Sequence, residues 1–219
     1  MYVFACQKAA IDCRAFAAST SPRTAMASRD IVLASTSVYR RELLQRLRLP
    51  FQTMAPDVDE SPLPGEGPVV LANRLAYAKA AAVAQHYPDA LIIGSDQVAW
   101  GDGQRFGKPG DRERAIAQLK AMRGHSIVFH TAVCVLDSRS GSHACVNVPT
   151  DVRFRLLSDR EIERYVDAEQ PFDCAGSAKS EGLGITLLDH IRGDDPTALV
   201  GLPLIAVSHL LRDAGLELP

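Results

Sequence analysis

The sequence predicts an α/β (α+β) protein built on a mixed central sheet with flanking helices. Three observations carry this. Short apolar runs alternate with amphipathic ones, as where Ile31-Val32-Leu33-Ala34 precedes a helical pattern through Leu43, Leu44 and Leu47. One run, Leu91-Ile92-Ile93-Gly94, is wholly apolar, which suits a buried central strand. Two long strand patterns, Ser126 to Asp137 and His143 to Leu157, run out and back around Ser138-Arg139-Ser140-Gly141. Such an antiparallel hairpin inside a strand–helix chain makes the sheet mixed.

Each element has a local reason. The first strand, Ile31 to Ala34, runs into a hydroxyl-rich turn, with Ser37 as N-cap of a helix from about Val38 to Arg48. Phe51 to Ala55 reads as a second strand. An acidic Asp57-Val58-Asp59-Glu60 loop follows, Pro/Gly-rich through Gly67. Pro68 suits a first helical turn, and the helix to about His86 puts Leu71, Leu75, Ala78 and Ala82 on its buried side and also carries Lys79. The apolar strand at Leu91 ends in Ser95-Asp96-Gln97. Val98 to Trp100, Gly101-Asp102-Gly103 and Arg105-Phe106 form a small hairpin. Gly107-Lys108-Pro109-Gly110 is a rigid loop, and Asp111 caps a helix to Met122. Ser126 to Asp137 is apolar on both faces and should be central. Ser158-Asp159-Arg160-Glu161 is a capping box. Ile185 to Leu188 reads as a strand, Asp194-Asp195-Pro196 as a short helical turn, and Pro203 to Ala214 as the closing helix.

Composition narrows the classes. The chain has 219 residues, 47% hydrophobic and 23% charged, with a net charge of −2. That is long enough for a real core and gives no electrostatic footprint for nucleic acid or a membrane surface. No apolar run approaches the ~20 residues of a membrane helix. Five cysteines, with no C-x-x-C spacing, argue against a disulfide framework or a zinc site and fit a reducing cytoplasmic setting. Residues 1–28 are rich in Ala, Ser and Thr. They read either as a transit-like extension or as sequence upstream of a working start at Met26. Residues 29–219 read as one domain.

The most informative stretch is Ser35-Thr36-Ser37-Val38-Tyr39-Arg40-Arg41. A capped helix start offers free N–H groups and the positive end of the helix dipole, and two guanidinium forks suit phosphate oxygens. It is an anion site, or merely a capped helix with solvated arginines. Acids recur at loops and strand ends (Glu60, Asp96, Glu181), as do bases (Arg40, Arg41, Lys79, Lys108, Lys179). In an open α/β sheet the ligand crevice lies outside the carboxyl ends of strands, where Ser35 and Asp96 fall. Carboxylates, cations and a divalent ion together suit phosphoanhydride chemistry, in which positioning and charge neutralisation dominate. The alternative reading of Asp96 is a cap on the following turn. The six histidines show no i,i+4 ligand pair, and neither G-x-x-x-x-G-K-S/T nor G-x-G-x-x-G occurs.

Taken together, Leu33-Ala34-Ser35-Thr36-Ser37 with Arg40-Arg41, Val58-Asp59-Glu60, Lys79-Ala80, Gly94-Ser95-Asp96-Gln97, Gly107-Lys108-Pro109 and Ala175-Gly176-Ser177 through Lys179-Ser180-Glu181-Gly182 stand in order over about 30–215. This set resembles the Maf family of nucleotide pyrophosphatases. The resemblance implies a curved mixed sheet in two lobes, Maf/inosine-triphosphatase-like, with a cleft active site. It implies cleavage of a nucleoside triphosphate between the α- and β-phosphates with a divalent metal cation (Mg, Mn or Co). It assigns Asp96 as general base, Ser35, Arg40, Arg41, Lys79 and Lys108 as phosphate ligands, and Glu60 with Asp96 as the metal group. The partners it implies are a small-molecule nucleotide, with no nucleic acid and no membrane; a homodimer is left open.

Three positions separate the family's branches. The dTTP/UTP branch typically has Arg, Thr and Gln where this chain has Tyr39, Gln97 and Glu181. The branch resembling 7-methyl-GTP pyrophosphatase has an aromatic, Gln and Glu there, and carries a segment like Leu199-Val200-Gly201-Leu202-Pro203-Leu204. Val38 stands where Pro is usual and Tyr39 where Trp is usual. A cationic 7-methylguanine would gain cation–π attraction at Tyr39, and Glu181 could accept from its N1–H and amine. The resemblance places such an enzyme in house-cleaning of non-standard nucleotides. Two alternatives stand beside it: the same reaction on dTTP or UTP, and a nucleotide-responsive cell-division regulator without turnover.

Overall fold

Two twelve-residue strands set the frame of the computed structural model, which describes residues 29–219. They are β3 (Ala90–Gly101) and β5 (Ser126–Asp137), paired antiparallel from Leu91↔Asp137 to Trp100↔Val128. The readings made for residues 1–28 lie outside the described residues. β1 (Asp30–Ala34) runs parallel to β3 on its other edge and β2 (Gln52–Met54) parallel to β1. β6 (His143–Phe154) and β7 (Leu188–Gly193) continue the sheet antiparallel beyond β5, and the short β4 (Gln104–Phe106) pairs back onto β3. The resulting seven-stranded sheet, ordered β2-β1-β3-β5-β6-β7 with β4 beside β3, is the mixed sheet the sequence predicts.

Helices cover both faces. On one, α2 (Pro68–Ala84) packs Leu71, Ala72, Leu75, Ala76, Ala80 and Val83 over β1, β3 and β5. On the other, α1 (Val38–Gln45) and α5 (Leu204–Asp213) enclose Leu33, Leu91, Ile93, Val133 and Val135. Beyond the far end of β3, α3 (Arg112–Met122) and α4 (Asp159–Glu169) build a second core around Phe129, Val152 and Phe154. Among the described residues no helix is long and apolar enough to cross a membrane.

The structure corrects several sequence expectations. The apolar strand does not end before Ser95-Asp96-Gln97 but runs through it to Gly101. α1 stops at Gln45 because Arg46, Leu47 and Arg48 bond to carbonyls three residues back, and Arg48 turns left-handed at φ 54°. The buried stripe of α2 is rotated by about one position, leaving Ala78 and Ala82 half-buried and bringing Lys79 inside. Residues 183–187 form a 3₁₀ turn, with the strand starting only at Leu188. Gly184 lies against the backbone of Lys179, where a Cβ would come to 2.5 Å from its carbonyl oxygen. Asp194 to Gly201 forms turns rather than helix. Cys134 and Cys145, expected unpaired, stand opposite each other on β5 and β6 and form a cross-strand disulfide with a Cα–Cα distance of 4.1 Å.

One contact governs how closely α2 approaches the sheet. Gly94 lies beneath α2, and a Cβ there would meet the Ala76 carbonyl oxygen at 2.1 Å and the Ala80 nitrogen at 2.8 Å. Both are backbone atoms and neither can rotate away. Gly94→Ala should therefore push α2 outward and cost about 2–3 kcal/mol. That corresponds to a fall in Tm of roughly 4–12 °C for a chain of this size. Calorimetry checks it; an unchanged Tm would show that α2 is not seated by this glycine.

Candidate active site

The sheet leaves a gap beside β3. On that edge β1 pairs only as far as Ala34↔Gly94, and β4 takes over only at Ala99↔Phe106. Residues 95–98 have no strand partner there, and into this gap opens a cleft of about 780 Å³. The turn after β1, the acidic loop, α2, the Gly107–Gly110 loop, the 173–181 segment and the 199–201 turn supply its walls.

Strand alternation distributes the chemistry. Asp96 shares a face with Ile92 and Gly94, and so meets α2. There Lys79 Nζ donates to Asp96 Oδ1 at 2.7 Å and lies 2.6 Å from Glu60 Oε1. Lys79 and Asp96 are 5% and 7% exposed, so one buried ammonium bridges a buried carboxylate to the exposed one of Glu60. Burial pushes the Glu60 carboxyl up, but its bond to Lys79 and the charges of Lys79, Lys108 and Arg40 carry it below its ordinary value. The acidic loop is fixed to α2 a second time. Arg74 binds Glu66 through both carboxylate oxygens, at 2.6 and 2.8 Å, and donates to the Ser61 carbonyl. Those bonds, with the Leu63 N–H, hold the Glu66 carboxyl down at about 2.

Ser95 and Gln97 point to the opposite face. Ser95 Oγ lies within hydrogen-bond distance of the Ala132 and Gly201 carbonyls. Gln97 Nε2 donates towards Thr131 Oγ1 and the carbonyls of Ala198 and Leu199. Gly201 O also accepts from Arg40 Nε at 2.9 Å. Burial lowers the Arg40 guanidinium while Asp96 and Glu60 raise it. Ser35 is buried at the start of α1, its Oγ accepting from Ser37 N, and Ser37 caps the helix at Arg40 N.

At the 173–181 wall, Tyr39 donates its hydroxyl to Asp173 at 3.2 Å, and Lys179 Nζ lies 5.7 Å from its ring centroid. Burial pushes the Tyr39 phenol up, Lys179 opposes this and Asp173 adds to it. Glu181 is exposed and lines the cleft. Cys174 lines it too, but burial pushes its thiol up to about 12, so it is a neutral thiol rather than a nucleophile.

The structure thus brings Ser35, Tyr39, Arg40, Glu60, Lys79, Asp96, Gln97, Lys108 and Glu181 to one cleft. Arg41 is the exception: it is exposed and is not among the lining residues. Successive helical residues point about 100° apart, so a neighbouring pair of arginines cannot both face inward. Sequence reasoning missed Asp173 and Arg105, which line the cleft, and Thr131, which bonds Gln97, and named Lys179 only as a base. The contacts of Asp173, Thr131 and Lys179 join distant segments, which no local pattern announces.

A family model described as Maf-like protein matches residues 30–214. A protein of Aromatoleum aromaticum named 7-methyl-GTP pyrophosphatase is 66% identical over 189 residues, spanning 86% of this chain and 97% of its own. Proteins of the same name from Polaromonas sp. and Burkholderia thailandensis are 61% and 60% identical over 191 residues. The alignments span 87% and 86% of this chain and 87% and 89% of theirs. A solved structure titled "Structure of a HAM1 protein from Coxiella burnetii" aligns with a TM-score of 0.42 and 17% identity over 59% of this chain and 74% of that one.

The Lys79 bridge has a measurable consequence. A carboxyl held below its ordinary value keeps its charge, and any stability tied to it, above that value, and loses both as pH falls. In Lys79→Met the cation goes and burial remains, so the Glu60 titration should move upward. Carboxyl-carbon NMR reads this directly; an unmoved midpoint would show that Lys79 does not hold Glu60.

Proposed function

The chain belongs to the Maf family, and from that membership we propose that it is a nucleoside triphosphate pyrophosphatase acting on 7-methyl-GTP. The observation that carries the reading is the buried Asp96 sharing Lys79 with the exposed Glu60, in a cleft ringed by Arg40 and Lys108. The names of the relatives favour the same reaction and the same base.

In this reading the triphosphate lies along the capped start of α1. Ser35 and the free N–H groups of that turn contact phosphate oxygens, with Arg40 and Lys108 neutralising charge that builds on the departing pyrophosphate. Asp96 orients a water towards the α-phosphate and takes its proton. Lys79 hands its place between the carboxylates over as the phosphates enter, and steadies a phosphate oxygen instead. The products are the nucleoside monophosphate and pyrophosphate. Arg41 stays at the rim and assists only in long-range attraction.

The donor set fits a metal that arrives with the nucleotide. Among the described residues no group of three or more His, Cys, Asp or Glu side chains gathers to form a cage. Two carboxylates beside a phosphate site are what Mg²⁺ or Mn²⁺ commonly uses, with phosphate oxygens and waters completing the shell. Glu60 and Asp96 would hold that ion, which when bound polarises the phosphoryl oxygens.

At the other end Tyr39 offers a ring face to the base. Lys179 lies over the ring and Asp173 holds the hydroxyl, so the ring is fixed before substrate enters. Cation–π attraction rewards a base that carries the N7 methyl charge. Glu181 supplies an acceptor for its N1–H and amine.

A nucleotide panel with Mg²⁺ or Mn²⁺ and pyrophosphate detection tests this. 7-Methyl-GTP should be turned over fastest; much faster hydrolysis of dTTP or UTP would refute the substrate reading. Binding without multiple turnover would refute the enzyme. Asp96→Asn should lower kcat by roughly 10²–10⁴ while the protein stays folded; retained activity would remove Asp96 as the base.

A further inference from the structure

The orientation of one side-chain amide is dictated by its neighbours. Gln97 Nε2 lies 2.9 Å from Thr131 Oγ1, 3.1 Å from the Ala198 carbonyl and 3.0 Å from the Leu199 carbonyl. The two carbonyls can only accept. Thr131 has one hydroxyl proton, and it is donated to the Ala198 carbonyl at 2.9 Å, so its oxygen must also accept from Gln97. All three neighbours demand a donor. A flipped amide would set Oε1 against two carbonyl oxygens and a hydroxyl whose proton is already used. The NH₂ end therefore faces inward.

The consequence falls on the other end. No donor meets Gln97 Oε1 among the described residues, and this oxygen is not one of their buried unpartnered atoms. Gln97 lines the cleft, and so does Glu181. We propose that Thr131 is a positioning residue for base recognition. Fully buried on β5 and bonded to both Gln97 and the 198–201 turn, it fixes the amide so that the cleft offers Gln97 Oε1 and the Glu181 carboxylate as acceptors. Two acceptors require a base with adjacent donors. Guanine has them in N1–H and the exocyclic amine. Uracil and thymine have one N–H set between two carbonyls, which would face these oxygens unpaired. This rests on the reading of the cleft as a nucleotide site given above and extends it to how the base edge is read.

The test compares 7-methyl-GTP with 7-methyl-ITP, which lacks only the exocyclic amine. Wild-type enzyme should favour the former in kcat/KM by about tenfold or more. Thr131→Val keeps the shape and removes the hydroxyl. The preference should fall below about threefold, through a KM for 7-methyl-GTP raised about tenfold with kcat within about twofold. Thr131→Ser should restore it. Equal losses on both nucleotides, with the preference intact, would mean a purely structural role and overturn the proposal. Turnover of neither purine by wild-type enzyme would instead overturn the proposed function. Turnover of both without discrimination would overturn this inference alone. Should Thr131→Val not fold, side-chain amide exchange in wild-type protein decides: protected Gln97 NH₂ protons support the inward orientation, and rapid exchange with solvent refutes it.

Discussion

A strand that loses its neighbour partway along one edge must put something else there. β3 does this between Gly94 and Ala99, where β1 has already turned into α1 and β4 has not yet begun. Its other edge stays paired to β5 throughout, so the strand keeps its shape while one side opens. Side chains on such a strand are rigidly aimed, because alternation is enforced by the continuing ladder. Asp96 is sent to the α2 face and Gln97 to the α5 face. A loop could hold the same residues, but not with that certainty of direction.

The charge pattern follows from how closely α2 can approach. Gly94 removes the one side chain that would hold the helix off, and Lys79 is thereby brought within hydrogen-bond reach of Asp96. A lone carboxylate so shielded would be costly, and a lone ammonium equally so. The pair, with Glu60 as a second acid, resolves both. The arrangement is poised because its components are exchangeable. On the proposed reading, an incoming phosphate would compete for the lysine and a cation accompanying it for the acids. Arg74 and Glu66 matter here because they stop the acidic loop from drifting when Lys79 leaves Glu60.

Much of this was legible in the sequence where patterns are local. The β5–β6 hairpin was visible from alternation and the α4 start from its capping box, and most of the candidate residues picked from motifs that stand in order line one cleft. The failures share a cause. Ser95-Asp96-Gln97 read as a strand end because three polar residues interrupt an apolar run. The strand continues because Ser95 and Gln97 bond backbone carbonyls of a turn more than a hundred residues away. Arg41 read as a ligand because it neighbours Arg40, and helical geometry separates them. Thr131 read as one more position in an alternating strand, and Asp173 did not register at all. Their partners, Gln97 and Tyr39, are distant in the chain, so only the assembled sheet reveals them.

The 198–201 turn joins the two halves of the cleft. Its carbonyls at Ala198 and Leu199 receive Gln97, that at Ala198 also receives Thr131, and that at Gly201 receives Ser95 and Arg40. On the proposed reading Arg40 serves the phosphate end and Gln97 the base end, so neither can be displaced without disturbing the backbone that holds the other. Gly201 sits at φ 120°, which side-chain-bearing residues rarely adopt, and a Cβ there would lie 3.5 Å from Arg40 Nε. That Cβ distance is ordinary contact, so what the glycine supplies is backbone freedom: it lets the turn bend so that its carbonyl faces both Ser95 and Arg40. A substitution at this position would reach both ends of a bound nucleotide through one peptide group, although Gly201 carries no side chain of its own to touch either.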